Sequence, residues 1–216
     1  MKILVNYFFK ITLLLIIPIL FFSCEKDEEK DAGPVKTILY EDHFDSKEKW
    51  PDFENDYLRR TCEDGKLYIH SNLENFDHFY SWYYYYDFQR EYIIETSVLP
   101  IDMNNGMFLY GLMFMVKNDY NHYYIYLSND SYYIGYVYNY NYHTLVDFTY
   151  NENINSDGVP NIIKIDKKYH DFTIFINDEQ VFKYDITNQI GDEFGYKFKG
   201  VGSFAVDYFT AYSLSP

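Results

Sequence analysis

From about Ile38 onward the chain is cut at short intervals: runs of aromatic and β-branched residues are separated by clusters of Asn, Asp, Gly and Ser. The runs are Ile38–Phe44, Lys66–Ser71, Phe79–Tyr86, Tyr92–Leu99, Met107–Val116, His122–Ser128 and Tyr132–Tyr138. They continue with His143–Thr149, Asn161–Asp166, Phe172–Ile176, Gln180–Ile186 and Val201–Leu214. Rings and branched side chains pack well on a pleated surface, whereas helices favour Ala, Leu and Glu at a 3.6-residue spacing that the chain lacks. With 27 Tyr and 19 Phe the pattern predicts an all-β fold, an antiparallel sandwich of two sheets or a barrel. Asn118-Asp119, Asn129-Asp130 and Asn177-Asp178 are expected hairpin turns, because Asn and Asp tolerate positive φ. Tyr123–Leu127, Met107–Tyr110 and Leu112–Val116 are apolar throughout and belong at a sheet centre covered on both faces, or bearing a ligand on one. Ile163–Asp166 and Phe172–Ile176 alternate, as half-exposed strands do.

The first 23 residues are of another kind. Lys2 and Lys10 precede an apolar run, Ile11–Phe22, that ends at Ser23-Cys24. A basic start, a short apolar stretch and a small residue before the cut describe a secretory signal peptide. The run is short of the roughly 20 residues of a membrane span, and Pro18 interrupts it; a retained anchor helix starting near Ile3 is the alternative. Leu20-Phe21-Phe22-Ser23-Cys24 resembles a bacterial lipobox, with Phe at two of its positions. That resemblance implies cleavage before Cys24 and acylation of it, so that the membrane is reached through a lipid anchor. Cys24-Glu25-Lys26-Asp27-Glu28-Glu29 is similar to the surface-export tag of Bacteroidota lipoproteins, which implies an outer-membrane lipoprotein facing the cell exterior. The expected organisation is a signal peptide over 1–23, a lipidated acidic tether over 24–37 and a β-sandwich over 38–216.

The chain carries 18 basic and 33 acidic residues, a net −15 that becomes −17 once residues 1–23 and their two lysines are removed. A nucleic-acid partner is thereby excluded, since phosphate contacts need a basic face. Two cysteines, Cys24 and Cys62, make no disulfide framework. Cys62 reads as a small buried side chain, with a reactive thiol near Arg59 and Arg60 as the alternative.

Further motifs carry a family resemblance. Asp42-His43-Phe44-Asp45 with Trp50, Asp64-Gly65-Lys66-Leu67-Tyr68-Ile69, Tyr110–Phe114, Asn121–Tyr124, Asn161–Ile165, Phe172–Asn177, Val201-Gly202 and Val206–Phe209 together resemble concanavalin A-like jelly rolls of the laminin-G and laminarinase type. The resemblance spans about residues 38–214. It implies two packed antiparallel sheets, one of them concave, and commonly carbohydrate binding; it also allows structural calcium at the sheet rim, without naming ligands.

Catalytic signatures of that fold are missing. The Glu-x-Asp-x-x-Glu string of laminarinase-type enzymes does not occur, nor do the Asn-Ser-Gly and Tyr-Glu-x-Gln strings of the 3-keto-disaccharide hydrolase type. Glu91 and Glu95 share a strand face but sit roughly 13 Å apart at about 3.3 Å per residue, beyond the spacing of a glycosidase pair. The six histidines have no metal-binding spacing. Asn153–Gly158 starts like a calcium loop, but Lys164 stands where the bidentate Glu belongs, so a polar hairpin loop is expected and no cofactor.

What remains is the surplus of rings. Sugar C–H faces stack on flat aromatics while phenols, Asn and Asp take the hydroxyls. Trp82, Tyr84, Tyr86, Tyr124, Tyr126 and Tyr136, with Asp119, Asn121 and Asn139 as polar partners, are therefore the candidate ligand contacts. The leading expectation is a non-catalytic surface lipoprotein that binds a glycan or a surface protein. A carbohydrate hydrolase and an assembly protein are the alternatives.

Overall fold

The computed structural model describes residues 34–82, 91–103, 108–156, 158–186, 190–191 and 193–215, with 73–82 and 215 as backbone alone. Every regular element among them is a strand: β1 Val35–Asp42, β2 Phe53–Glu54, β3 Leu58–Glu63, β4 Lys66–Trp82, β5 Glu91–Asp102, β6 Leu109–Asn118 and β7 Asn121–Leu127. The chain continues with β8 Ser131–Tyr138, β9 Asn141–Tyr150, β10 Asn161–Lys168, β11 Asp171–Ile176, β12 Glu179–Asp185 and β13 Glu193–Ser215. Hydrogen bonding runs β12-β11-β10-β5-β13-β6-β7-β8-β9, while β4 pairs with both β13 and β3.

One curled sheet makes both layers, because β13 and β4 pass through each. Glu193–Lys199 of β13 pairs with β6, and Ser203–Tyr212 pairs with β5. The crossing falls at a register shift between Lys199 and Gly200, where Gly200 has φ 95°. Gly202 lies so close to the Asp102 carbonyl and the Phe108 ring that a Cβ there would sit 2.5 Å and 2.4 Å from them. A side chain at this corner would force the strands apart. The two layers together form an antiparallel β-sandwich, the all-β fold that the short runs predict, in the jelly-roll arrangement that the family resemblance implies.

Alternation fills the space between the layers. Tyr110, Leu112, Phe114, Tyr123, Ile125, Leu127 and Ile134 meet Ile94, Val98, Ile163, Ile165, Phe172, Ile174 and Phe204 in one core. Phe172 meets Phe114 edge-on at 5.0 Å and Tyr123 at 5.3 Å, so rings lock one layer to the other. Each fully buried ring of this kind contributes about 2–3 kcal/mol. The polar exceptions are paired: Thr96 Oγ1 and the Tyr196 hydroxyl lie 2.7 Å apart, and Asn161 Nδ2 donates to the Tyr110 hydroxyl at 3.0 Å.

Near the start of the domain, Asp42 joins what the Asp42–Asp45 motif and Trp50 contribute. Its buried carboxylate accepts from the Tyr40 hydroxyl at 2.7 Å, Phe44 N at 2.9 Å, Lys49 Nζ at 3.0 Å and Trp50 Nε1 at 3.1 Å. Burial works to raise its pKa, but these donors outweigh it and hold the carboxyl below its usual value.

The expected turn at Asn177-Asp178 is present, the one expected at Asn118-Asp119 falls one residue later at Asp119-Tyr120, and Asn139-Tyr140 makes a turn that the sequence reading did not name. Asn177 and Asp178 have φ 49° and 67°, and Asn139 and Tyr140 have φ 49° and 68°, so both pairs sit in the left-handed region that two-residue hairpin turns of the primed type require. Two expectations are corrected. Lys66–Ser71 and Phe79–Tyr86 were separate runs, yet the backbone continues from Lys66 to Trp82 as β4, and a register shift against β13 between Leu73 and Asp77 absorbs the polar stretch. The last strand begins at Glu193, well before Val201.

Candidate functional site

The layer made by β6–β9 and the first part of β13 has a second apolar face, turned away from the core. On β7, Tyr123, Ile125 and Leu127 enter the core, which puts His122, Tyr124 and Tyr126 opposite. β8 adds Tyr133, Gly135 and Val137 to that face, β6 adds Met113 and Val116, and Lys197 comes from β13 between the core residues Tyr196 and Phe198. Across from Val137, Gly135 and Tyr133, strand β9 supplies Tyr142, Thr144 and Phe148.

The rings contact one another in sequence. Tyr124 and Tyr126 meet edge-on at 5.1 Å, Tyr124 and Tyr133 stack at 6.0 Å, and Tyr133 and Phe148 lie 5.3 Å apart. Gly135 makes room for this, since a Cβ there would come within 2.8 Å of the Tyr124 hydroxyl. Lys197 is 1% exposed; its Nζ lies 4.4 Å from the Tyr124 ring centre, 5.3 Å from that of Tyr142 and 3.2 Å from His122 Nε2. An ammonium against ring faces is attracted by their quadrupoles, and more so where water is excluded. Exposure then grades across the face: Tyr124 and Tyr126 are covered at 3% and 4%, whereas Tyr142 and Phe148 are open at 61% and 53%. The buried rings form a floor and β9 a solvent-facing strip.

Of the residues singled out by sequence, the structure brings Tyr124 and Tyr126 together on this face. Tyr136 points the other way, stacked on His143 at 4.5 Å and packed against Tyr123 at 5.4 Å. Asp119, Asn121 and Asn139 lie at the hairpin end of these strands. Asn121 Nδ2 donates to Asn118 Oδ1 and its Oδ1 accepts from Asn139 N, so these two amides serve the turns. Trp82 ends β4 opposite Phe194. Tyr84, Tyr86 and Cys24 lie outside the described residues. Lys197, Tyr133, Tyr142 and Phe148 were not among the candidates, although Tyr142, Thr144 and a lysine inside a Phe-Gly-Tyr-Lys-Phe run were the signals that could have found them.

The other layer turns a different face outward. Lys168 pairs with Asp166 at 3.0 Å and Lys183 with Asp171 at 2.8 Å. Glu95 accepts from the Tyr208 hydroxyl at 3.0 Å, and burial together with that carboxylate pushes the Tyr208 phenol up. Among the described residues no three His, Cys, Asp or Glu side chains gather as a metal site would need. In the Asn153–Gly158 loop, Asn155 Nδ2 donates to Pro160 O and Asn155 N to Asn161 Oδ1, so these amides close the loop on itself. Cys62 is buried, its thiol donates to Phe44 O, and burial pushes its pKa up. A buried thiol held protonated fits a small packed side chain, since reactivity needs a thiolate.

A groove of about 360 Å³ opens where β9 ends beside β12, lined by Tyr132, Tyr150, Asn151, Asn153, Glu179 and Gln180 among others. Asn153 Nδ2 at 2.7 Å and Asn151 Nδ2 at 2.8 Å both donate to Glu179 Oε2 and hold its carboxyl below the ordinary range. Sequence reasoning passed over this groove because its parts come from β8, β9, the loop after it and β12.

No protein-family model matches the chain, and no curated protein matches it. Solved structures do share its fold. A galectin-like protein of unknown function from Bacillus subtilis superposes with a TM-score of 0.55 at 10% identity, covering 84% of this chain and 99% of that one. A Bacteroides ovatus GH16 protein of a mixed-linkage glucan locus, in complex with a glucan product, gives 0.52 at 13% identity over 83% of this chain and 94% of that one. A xylan β-1,4-xylosidase from Bacillus halodurans gives 0.56 at 12% identity; 79% of this chain matches 38% of the enzyme. At such identities the likeness is one of fold.

Proposed function

We propose that the chain is a surface lipoprotein whose jelly-roll domain binds a neutral glycan without cutting it. The observation that carries this reading is the strip of Tyr133, Tyr142 and Phe148, rings that extend a buried tyrosine floor to solvent on a sheet face. Flat rings open to water stack on sugar C–H faces, and the Tyr133 hydroxyl, 2.6 Å from Thr144 Oγ1, offers a hydroxyl partner beside them. The mixed-linkage-glucan GH16 protein, the xylan β-1,4-xylosidase and the galectin-like protein that share the fold lend support by analogy. In this reading Tyr124 and Tyr126 position the strip from beneath, and Cys24 is acylated so that the acidic segment between it and β1 tethers the domain outside the outer membrane.

The test is affinity electrophoresis of the full chain in gels holding xylan, mixed-linkage β-glucan or other neutral polysaccharides. Retardation by at least one polymer, lost on replacing Tyr142 and Phe148 together by Ala, is the expected outcome; free migration in all of them defeats the reading. Anchoring is tested separately, since Cys24→Ser must move the protein from the membrane to the soluble fraction. A second reading, hydrolysis, draws on Glu152 and Glu179, two carboxyls lining one groove. Release of reducing ends that stops with Glu179→Gln would decide for it.

A further inference from the structure

The groove between the end of β9 and β12 has a construction that the solvent-facing strip lacks. Its chemistry is a flat exposed ring beside a fixed, ionised acceptor. Tyr150 is 68% exposed. Glu179 is held in place by two amide donors, and those amides are themselves fixed. Asn151 Oδ1 accepts from Asn153 N at 2.8 Å, which settles that its Nδ2 faces the carboxylate. Asn153 is held from the other side, because Asn177 Nδ2 donates to its carbonyl at 2.5 Å. The base of the groove is equally tied: the buried Tyr132 donates from its hydroxyl to Val181 O at 3.4 Å, and Asn151 N donates to Asp130 O at 2.8 Å. Side chains already held in one arrangement lose little entropy when a ligand arrives.

The partners select the ligand class. A carboxylate offers about four lone-pair directions, so two amide donors leave acceptor capacity for hydroxyl groups. Glu152 lines the same groove, and two acidic side chains disfavour phosphate, sulfate or uronate groups. A cation is disfavoured for another reason: both amides turn their N–H₂ groups, not their oxygens, toward Glu179. A neutral, hydroxyl-rich ring that lays its C–H face on Tyr150 and donates to Glu179 meets both conditions. The position suits a polymer as well. Tyr142, Phe148 and Tyr150 follow one another along β9, a span of roughly 26 Å at about 3.3 Å per residue, so the groove closes the end of the solvent-facing strip.

We propose that this groove is a saccharide subsite, in which Tyr150 stacks on a neutral sugar ring and Glu179 accepts its hydroxyls. The proposal rests on the glycan-binding reading above and adds to it where one unit of the polymer is gripped. The experiment takes the full chain and the polysaccharide that retards it most in the neutral panel, and compares Tyr150→Ala, Glu179→Gln and the Tyr142→Ala, Phe148→Ala double variant by titration calorimetry. An unchanged melting temperature first establishes that each variant is folded. Tyr150→Ala is expected to weaken binding about tenfold, the loss of one stacking contact, and Glu179→Gln severalfold. Full affinity in both groove variants, with loss only in the strip variant, overturns the subsite and leaves glycan binding standing. Binding abolished by a chelator and restored by calcium, with Tyr150→Ala silent, puts a cation in the groove and overturns it too. A wild-type chain that binds no polysaccharide removes both readings together.

Discussion

The two layers share one core and treat their other faces in opposite ways. Beside the core residues Ile163 and Ile165, β10 turns Lys164, Asp166 and Lys168 outward, where Lys164 pairs with Asp178 and Lys168 with Asp166 at the surface. Beside Tyr123 and Ile125, β7 turns His122, Tyr124 and Tyr126 outward, and these are covered and packed. The same two-residue period thus yields one face whose interactions are worth little each and one that is a second, smaller core. An outward face that is itself packed leaves fewer degrees of freedom, and the rings at its open margin on β9 inherit that rigidity. A binding surface is better placed there than on the charged layer.

That contrast can be broken from several sides. The largest effect is expected where the layers meet: Phe172→Ala should cost about 3–5 kcal/mol in chemical denaturation, because its ring locks Phe114 and Tyr123 to β11. Asp42→Asn should cost about 3 kcal/mol, since four donors lose a buried anion. Asp42 has a folded pKa below its unfolded value of about 4, so its contribution is complete above that value and is lost as pH falls through the folded one. Acid unfolding followed below about pH 4 should therefore be steeper for the wild type than for the variant. On the packed face, Gly135→Ala should cost about 1–3 kcal/mol and displace the Tyr124 ring, seen as a change in near-UV circular dichroism. On the charged face, Lys168→Ala should stay within about 0.5 kcal/mol and lose even that in high salt. Equal costs for Gly135→Ala and Lys168→Ala would erase the distinction.

How far the sequence reveals this depends on the region. The all-apolar run Tyr123–Leu127 announces a central strand covered on both sides, and Asn177-Asp178 announces its turn, because each is a local signal. The length of β4 is not local: Asn72, Glu74, Asn75 and Asp77 imitate a turn, and pairing with β13 on either side of a register shift carries the strand through them. The same difficulty separates Tyr136 from Tyr124. When both faces of a strand are apolar, period alone cannot say which parity meets the core, so the two tyrosines looked equivalent although their faces are opposite. The groove at Glu179 was beyond reach for a third reason, since Tyr150 and Glu179 are brought together by the docking of two sheet edges.

The position of β13 has a consequence for the order of events in folding. Of the described strands it is made last, yet it lies between β5 and β6, and it is the seam to which β4 is stitched along most of its length. Until the ribosome has finished it, β5 and β6 have no common neighbour, and neither layer is complete. Residues from β1 through β13 must therefore exist before this architecture can lock, a distant-pairing problem of the kind that makes folding slow. Strand β13 acts as the fastener of this domain, and the strands before it wait with two edges unsealed.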